Sequence, residues 1–278
     1  MINDRFDNII FACFDEDMPY GDITTESVIK DGTFAEGYFI AKESGIICGM
    51  EIAQRVFELS GGNVILECFV KDGDTIEKGQ KIAHIKGDAK SILKGERTAL
   101  NLMQRASGIA TATNKAIKSV EGTNAKITDT RKTMPGLRLL DKFAVKVGGG
   151  YNHRTGLSDG VLIKDNHIAA AGGIKNAVAY AKKNIPHTLK IEVETENLEQ
   201  IKEALEAKAD IIMLDNMTNE EMREAVLLIN GRAVTEASGN MGERDLRAVA
   251  ETGVDIISIG ALTHSVKALD ISLKFSIL

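Results

Sequence analysis

Between residues 131 and 164 the sequence concentrates cationic side chains that could bind a multiply charged anion. Seven Lys and Arg against two Asp leave this segment with a formal charge of +5, in a chain of formal net charge −6. The cations are Arg131, Lys132, Arg138, Lys142, Lys146, Arg154 and Lys164, and His153 lies among them. Pro135-Gly136 and Gly148–Gly150 predict that much of the segment is loop and turn.

Arginine offers a planar fork to carboxylate or phosphate, and lysine offers a point charge. An arbitrary run of charge is usually a solvated face. Here Arg131 and Lys132 directly follow one predicted strand and Lys164 ends the next. Because surface charge has no reason to track strand ends, we favour an anion-binding site.

Carboxylates end two successive predicted strands, at Glu194 and Asp215. Alternate residues of a strand share a face, so Glu192 points to the same side as Glu194. Such a pair could hold Mg²⁺, which takes few protein carboxylates and adds substrate phosphate oxygens. It could equally stabilise a developing cation, whereas a single strand-end carboxylate is often only a helix cap or loop anchor.

The last two predicted strands end in small residues, Glu236–Asn240 and Ser258–Ala261, each just before a helix. Free backbone N–H groups at a helix start can cradle a phosphate, and barrels often bind phosphate at their final strands. Each segment alone could be an ordinary turn, so the consecutive pair carries the interpretation.

After residue 110, short apolar strands alternate with helical stretches, which predicts a parallel sheet with right-handed crossovers. Six strands are predicted, at Lys126–Thr130, Gly160–Lys164, Leu189–Glu194, Asp210–Asp215, Ala233–Ser238 and Asp255–Gly260. Helices are predicted at Asn197–Ala207, Asn219–Ile229 and Glu243–Glu251. Six strands are too few for an eight-stranded barrel, so the candidates are an open doubly wound sheet and an incomplete barrel. In both, the carboxyl ends of the strands face the ligand.

Before residue 110, short strands and turn signals predict an α+β module. The strands are predicted at Ala35–Ala41, Gly45–Cys48, Val64–Val70 and Lys81–Ile85, and the helices at Asp4–Phe14, Ile52–Leu59 and Ser91 to about Ser107. The stretch from Val70 to His84 also resembles half of a biotinyl or lipoyl carrier domain, but its lysines lack the tight hairpin of such carriers. Arg97, at the start of the third helix, is interpreted from the sequence alone as a solvated or capping residue.

The composition excludes several classes of protein. The chain of 278 residues is long enough for one large or two modest domains, and its net charge argues against a surface that coats nucleic acid. Three widely spaced cysteines, Cys13, Cys48 and Cys68, favour a reducing compartment over disulfides or a zinc site. With no signal peptide and no apolar run of about 20 residues, we expect a cytoplasmic protein without membrane or nucleic-acid partners.

Together these groups describe a site for two anions, one held by Arg and Lys, the other carrying phosphate and metal. Phosphoribosyl transfer fits because the donor leaves as pyrophosphate, which Mg²⁺ and cations neutralise. The sugar carbon becomes oxocarbenium-like, which a carboxylate stabilises. Opposite charges 4 Å apart attract by about 4 kcal/mol at an effective dielectric constant near 20, so several such groups matter to both binding and rate.

At this level of detail the sequence resembles the quinolinate phosphoribosyltransferases, also called nicotinate-nucleotide pyrophosphorylases (carboxylating). The matching blocks run in family order over nearly the whole chain, which is not expected by chance. They are Gly21–Thr25, Glu96–Leu102, Ser107–Thr111, Thr128–Gly136, Gly148–Arg154, Leu162–His167, Glu192–Glu194, Met213–Asn216, Glu236–Asn240 and Ser258–Ala261.

The resemblance implies both a fold and a reaction. It implies an N-terminal α/β sandwich over residues 1–110 and an open, incomplete (β/α) barrel of six or seven strands over 111–269. The tail, 270–278, is expected to pack back onto the first domain. The family transfers ribose 5-phosphate from phosphoribosyl pyrophosphate (PRPP) to quinolinate, forming nicotinate mononucleotide, pyrophosphate and CO₂ in de novo NAD synthesis.

The resemblance also implies roles for individual residues. The quinolinate carboxylates would be held by Arg131, His153, Arg154 and Lys164, with Lys132, and Thr130 would also bind substrate. The ribose and Mg²⁺ would be faced by Glu194 and Asp215, directly or through water or PRPP, and with Lys132 these two would be catalytic. The 5-phosphate would be cradled by Ser238, Gly239, Asn240 and Gly260, and Ile259 and Ala261 would also bind substrate. The family is dimeric or larger, and Arg97 resembles an arginine that reaches the partner's site. Loss of the 2-carboxylate would need no dedicated base, because the quaternised ring nitrogen accepts the electrons.

Three alternatives remain open from the sequence. The nearest is the molybdenum-transport-associated paralogue, which shares the Thr-Arg-Lys and His-Arg blocks. The second is a non-catalytic carrier module, suggested by the lipoyl-like stretch. The third is a phosphate-binding barrel isomerase, which would turn over a single sugar phosphate.

Overall fold

A computed structural model describes residues 5–278, and the chain divides into two compact units. The first unit comprises the chain up to Asn114 together with Met134–Gly149 and Ser265–Leu278. The second unit comprises Lys115–Thr133 and Gly150–His264. Each unit has its own cluster of buried apolar side chains.

The first unit is an antiparallel sheet with helices. Its strands are β1 (Phe34–Ala41), β2 (Gly45–Ile46), β3 (Val64–Cys68), β4 (Thr75–Ile76), β5 (Lys81–Asp88) and β12 (Ile271–Ile277). Its helices are α1 (Asp7–Asp17), α2 (Ile23–Val28), α3 (Met50–Leu59), α4 (Ala89–Ser119, of which residues 115–119 belong to the second unit) and α5 (Arg138–Val147). The main sheet has the order β12-β1-β5-β3, and β2 pairs with β4. The C-terminal tail therefore forms the strand next to β1.

Local sequence explains these elements. In β1 alternate residues are buried, which is the pattern of a strand with one face on the core. Helix α3 buries Met50, Ala53 and Phe57, which share one helical face. Its first turn is held by Asp72, whose Oδ1 accepts hydrogen bonds from the N–H groups of Gly49 and Met50.

Several helix boundaries differ from the predictions. The predicted first helix begins at Asp4, which lies outside the described residues, and α1 begins at Asp7. Helix α4 continues twelve residues beyond Ser107 to Ser119. Much of 131–164 is loop and turn, as expected, but Arg138–Val147 within it forms helix α5, which was not predicted. That helix buries Leu140, Ala144 and Val145 along one face, and this burial outweighs the flanking glycines.

The second unit is a parallel sheet with helical crossovers. Its strands are β6 (Lys126–Thr128), β7 (Val161–Ile163), β8 (Ile191–Thr195), β9 (Ile211–Asp215), β10 (Val234–Ser238) and β11 (Ile256–Ser258). Its helices are α6 (Asp165–Ala171), α7 (Ile174–Asn184), α8 (Leu198–Glu206), α9 (Asn219–Ile229), α10 (Leu246–Ala250) and α11 (Ala261–His264), with a 3₁₀ turn at Met241–Glu243.

The sheet order is β6-β11-β10-β9-β8-β7, and every pair is parallel. This confirms the predicted open, incomplete α/β barrel in its six-stranded form. Capping side chains begin the crossover helices where the sequence suggests: Thr218 and Glu221 form a reciprocal capping box at α9, and Asn197 caps α8. All carboxyl ends of these strands consequently lie at one mouth of the barrel.

Over residues 5–278, no helix combines the length and the apolar character that crossing a bilayer requires.

Candidate functional site

A cavity of about 580 Å³ opens at the carboxyl ends of the barrel strands, and the second unit alone provides its walls. Its lining is Thr130, Arg131, Lys132, His153, Arg154, Leu162, Lys164, Glu194, Met213, Asp215, Asn216, Glu236, Ser238, Gly239, Asn240 and Ser258. Four of these side chains are Arg or Lys, and three are carboxylic acids. Pockets of this size hold small molecules with a few well-placed polar groups.

Two arginines on the cavity wall are close enough to influence each other. Burial, together with the neighbouring charge of Arg131, lowers the pKa of Arg154 below its usual value. Arg154 is held in place because its Nη1 donates a hydrogen bond to the carbonyl oxygen of Gly160 at 3.0 Å. Like charges brought together in this way are stabilised by an anion between them, and guanidinium groups bind carboxylates in pairs of hydrogen bonds.

Asp129 positions the loop that carries His153 and Arg154. The side chain of Asp129 follows β6 and is fully buried. Its carboxylate accepts hydrogen bonds from Asn152 Nδ2 at 2.6 Å and from the backbone N–H of His153 at 2.8 Å. The loop is also joined to β6 by a parallel bridge between Tyr151 and Thr128. A buried carboxylate thus ties the anion-binding loop to the sheet.

The acidic strand ends lie in the same cavity. Lys164, after β7, donates from Nζ to Glu194 Oε2 at 2.9 Å across neighbouring strands. Asp215, at the end of β9, accepts a hydrogen bond from Asn216 Nδ2 at 2.7 Å. Both carboxylates are half-buried and have oxygen atoms, the donor type that Mg²⁺ prefers, so the residues present fit that ion.

The segment after β10 presents its backbone to the cavity. Gly239 has a φ of +95°, and a Cβ at this position would overlap Asn216 Oδ1 and lie 2.8 Å from the Asn216 nitrogen. Only glycine fits there without displacing its neighbour. Asn240, with a φ of +49°, precedes the 3₁₀ turn, so the chain reverses next to Ser238 at the cavity wall. A close, side-chain-free backbone approach of this kind suits a phosphate.

The segment after β11 is built differently. The side chain of Ile259 is buried, and its N–H donates to the carbonyl oxygen of Thr128 within the sheet. Gly260 lies against Lys132, since a Cβ there would lie 3.0 Å from Lys132 Cδ. Thr263 Oγ1 donates to the carbonyl oxygen of Lys132 at 2.9 Å and so anchors the loop that carries this lysine.

Below the strand ends, His153, Glu192 and Glu236 form a cluster whose ring-nitrogen and carboxylate atoms lie within 4.8 Å of one another. His153 Nε2 is 3.2 Å from Glu192 Oε2 and 3.5 Å from Glu236 Oε1. Burial, with the charge of Glu192 second, raises the pKa of Glu236 to about 7. Two ionised carboxylates 4.8 Å apart would repel by about 3.5 kcal/mol at an effective dielectric constant of 20.

The cluster has the residue types of a metal site, but its hydrogen bonding argues against one. His153 Nδ1 accepts a hydrogen bond from the backbone N–H of Arg154 at 2.8 Å. A neutral ring that accepts at Nδ1 carries its hydrogen on Nε2. Nε2 therefore directs a hydrogen toward the carboxylates, whereas a metal ligand needs a lone pair there.

A second cavity, of about 480 Å³, lies toward the amino ends of the strands and is lined there by Lys126, Val161, Ile211 and Ile256. It shares His153, Arg154 and Glu236 with the first cavity, so the shared residues form a partition between the two.

The structure brings most, but not all, of the predicted site residues together at the first cavity. Eleven line the first cavity: Thr130, Arg131, Lys132, His153, Arg154, Lys164, Glu194, Asp215, Ser238, Gly239 and Asn240. Ile259, Gly260 and Ala261 are not among the residues that line this cavity. Gly260 lies against Lys132, Ala261 begins helix α11, and the Ile259 N–H is hydrogen-bonded within the sheet. Arg97 is exposed on α4 in the first unit.

The expectation that the whole basic segment supplies one pocket was wrong. Arg138, Lys142 and Lys146 lie on α5, which belongs to the first unit, because its apolar face packs in that unit's core.

Sequence reasoning missed Asp129 and Glu236 as functional residues. Both residues lie within the sequence blocks that resemble the family. Each is also an acidic residue within a predicted buried strand. Such a residue is rarely buried without a partner, so its position alone indicates a special role.

Comparisons with known proteins agree with this geometry. Family models described as the N-terminal and C-terminal domains of quinolinate phosphoribosyl transferase match residues 22–107 and 109–274. The chain is 47% identical over 264 residues to a Bacillus subtilis protein named "Probable nicotinate-nucleotide pyrophosphorylase (carboxylating)", covering 95% of this chain and 91% of that one. A Methanocaldococcus jannaschii protein of the same name is 45% identical over 282 residues and covers 98% of each chain. The solved nicotinate-nucleotide pyrophosphorylase of Francisella tularensis superposes with a TM-score of 0.93 at 41% identity, covering 99% of this chain and 97% of that one.

Proposed function

The chain belongs to the quinolinate phosphoribosyltransferase family, and from that premise we propose that it makes nicotinate mononucleotide for de novo NAD synthesis. Quinolinate attacks PRPP through its ring nitrogen, pyrophosphate leaves, and the 2-carboxylate is then lost as CO₂. The observation that carries this proposal is the single cavity in which four Arg and Lys side chains meet two strand-end carboxylates and an open backbone turn.

Quinolinate is a dianion, and the cationic wall of the cavity suits it. In our proposal Arg131 and Arg154 grip its carboxylates, with Thr130 and Lys132 beside them. An anion between the two guanidinium groups relieves the repulsion that lowers the Arg154 pKa. The Nε2 hydrogen of His153 points toward Glu192 and Glu236. His153 can therefore donate a hydrogen bond to the substrate only if its ring reorients.

The donor occupies the other side of the same cavity in this proposal. Ser238, Gly239 and Asn240, joined by the Gly260 segment, hold the 5-phosphate. Glu194 and Asp215 hold Mg²⁺, directly or through water or PRPP, and the ion would neutralise charge on the departing pyrophosphate.

The same carboxylates also act on the sugar. Positive charge that develops at its reacting carbon is stabilised by fixed negative groups in a site of low dielectric constant. Lys164 Nζ donates a hydrogen bond to Glu194 Oε2 at 2.9 Å, which orients that carboxylate in the cavity. Thr263 Oγ1 donates to the carbonyl oxygen of Lys132 and so anchors the segment that holds this lysine beside the quinolinate carboxylates.

We also propose that the active form is a homodimer or a larger assembly in which Arg97 enters the partner's site. Its exposure on α4 leaves the guanidinium available for such a contact. A cytoplasmic location is part of the proposal, and the three cysteines, all free thiols in the structure, fit a reducing compartment.

Purified protein incubated with quinolinate, PRPP and Mg²⁺ should form nicotinate mononucleotide, and no product would overturn the proposal. Arg131→Ala or Arg154→Ala should weaken quinolinate binding far more than PRPP binding, whereas equal losses would contradict the assignment. Arg247→Ala, an exposed arginine on α10, is the matched control and should leave both unchanged.

Subunit mixing tests the role of Arg97. Mixing R97A with K164A protein should restore part of the activity, because each hybrid dimer contains one intact site. No recovery after verified subunit exchange would exclude a shared site.

A further inference from the structure

Glu236 occupies an unusual place for an acidic residue. Its side chain is almost wholly buried, at 1% exposure, on the central strand β10, yet it borders both cavities of the barrel. Among residues 5–278, no hydrogen-bond partner meets its Oε1 atom, and the same holds for Oε1 of the buried Glu192. A buried polar atom left this way has a cost, which suggests that something other than folding maintains it.

The surroundings of Glu236 on balance favour its neutral, protonated form. Burial has the largest effect and the like charge of Glu192 on β8 adds to it, so that the pKa of Glu236 is raised to about 7. His153, whose Nε2 lies 3.5 Å from Glu236 Oε1, and a hydrogen bond with Ser258 on β11 act in the opposite direction and keep the pKa from rising further. A carboxyl group with this pKa can give up and regain a proton near neutral pH.

The proposed reaction requires one proton inside this cavity. When the bond from C2 of the ring to its carboxylate breaks, CO₂ leaves and the electron pair stays on C2. That carbon must then take a proton to become the C2–H of nicotinate mononucleotide. The other protonated groups on the cavity wall are guanidinium and ammonium groups, which are weaker acids than a carboxyl group, and Lys164 is in addition engaged by Glu194.

We propose that the carboxyl group of Glu236 donates this proton, an inference that rests on the proposed function. The O–H bond of Glu236 breaks, the C2–H bond forms, and Glu236 is left as a carboxylate. Water in the amino-end cavity, which Glu236 also borders, then returns the proton. In this proposal substrate enters from the carboxyl end of the barrel and the proton from the amino end, so the substrate side need not admit water for this step.

Single-turnover measurements on E236Q test the assignment. The amide keeps the size of the side chain but is not an acid. Pyrophosphate release should stay within about threefold of the wild-type rate. Conversion of the dicarboxylated nucleotide to nicotinate mononucleotide should slow at least tenfold, because an unprotonated C2 carbanion recaptures CO₂. Labelled CO₂ added to the reaction should then enter the accumulated dicarboxylated nucleotide.

E194Q is the matched comparison, since it alters a glutamate of the same barrel face. It should slow pyrophosphate release and CO₂ release together. If E236Q affects the two steps equally, or neither, Glu236 is not the donor. If the wild-type protein releases no pyrophosphate from quinolinate and PRPP, the proposed function fails instead.

A measurement on the wild-type protein covers the case in which E236Q does not fold. The fraction of dicarboxylated nucleotide remaining after one turnover should rise as the pH increases through about 7, because Glu236 loses its proton there. The groups that face it are Glu192, His153 and Ser258, with Lys126 and Arg154 on the walls of the amino-end cavity. A fraction that is constant from pH 6 to 9 would overturn the proposal.

Discussion

Replacing Asp129 by Asn should weaken quinolinate binding without touching a group that contacts the substrate. The carboxylate of Asp129 accepts from Asn152 Nδ2 at 2.6 Å and from the His153 N–H at 2.8 Å. An amide offers one acceptor oxygen instead of two, so one of these two hydrogen bonds must be lost. The loop that carries Arg154 then loses part of its attachment to β6.

The size of the effect follows from the bond that is lost. A hydrogen bond to a charged group contributes about 1.5–3 kcal/mol. If all of that free energy holds the loop in its binding conformation, the KM for quinolinate rises by about 10- to 150-fold, since 1.4 kcal/mol is a factor of ten. The KM for PRPP should change less than about threefold, because its proposed cradle lies after β10.

Initial rates with each substrate varied in turn measure the two KM values. The swapped variant D129N/N152D restores a donor facing an acceptor and should recover most of the affinity for quinolinate. Asp255→Asn is the control for general destabilisation, because Asp255 accepts two hydrogen bonds from Thr235 at the amino end of the barrel. The reasoning would be refuted if D129N raised both KM values equally, or if the swap gave no recovery.

Three further predictions concern the phosphate cradle, the first unit and the metal. Gly239→Ala should raise the KM for PRPP at least tenfold, because the added Cβ would overlap Asn216. Gly160→Ala is the control and should leave this KM unchanged, because no described atom lies nearer than 3.9 Å to its added Cβ. If steady-state kinetics give the same KM for both variants, the proposed phosphate cradle is wrong. Asp141→Ala should lower the free energy of unfolding by about 3–5 kcal/mol in a denaturant titration. The substitution removes the carboxylate that accepts two hydrogen bonds, at 2.7 and 2.8 Å, from the Arg105 guanidinium. A loss under about 1 kcal/mol would contradict this reasoning. Removing divalent ions with a chelator should abolish pyrophosphate release, and Mg²⁺ should restore it; full activity after chelation would exclude the proposed metal role.

Hydrophobic periodicity predicted most of the helices and strands, because the residues that each of them buries are close together in the sequence. In α3 the apolar residues Met50, Ala53 and Phe57 recur at helical spacing and are all buried. Helix α5 has the same kind of face, but glycines and a proline on both sides favoured a loop. Turn residues near a helix mark its ends rather than exclude it, which is why α5 was not predicted.

The site was predictable where its residues follow strand ends. Parallel strands joined by crossovers must place their carboxyl ends together, so Lys164, Glu194 and Asp215 could be assigned to one mouth from their positions alone. The partner of a side chain cannot be read in this way. That Lys164 bonds Glu194, or that Asp129 holds the loop of His153, depends on which strands become neighbours.

The sequence by itself determined the kind of chemistry: a cationic segment, acidic strand ends and glycine-rich turns placed at the carboxyl ends of predicted parallel strands. Only the tertiary structure decided that Glu192 and Glu236 meet around His153. They lie on β8 and β10, which β9 separates, so their backbones are about 10 Å apart at the usual strand spacing. Their carboxylates can converge because the sheet curls into an open barrel and its inward side chains point toward a common interior. That curvature arises from the packing of all six strands and helices, and no local sequence pattern specifies it.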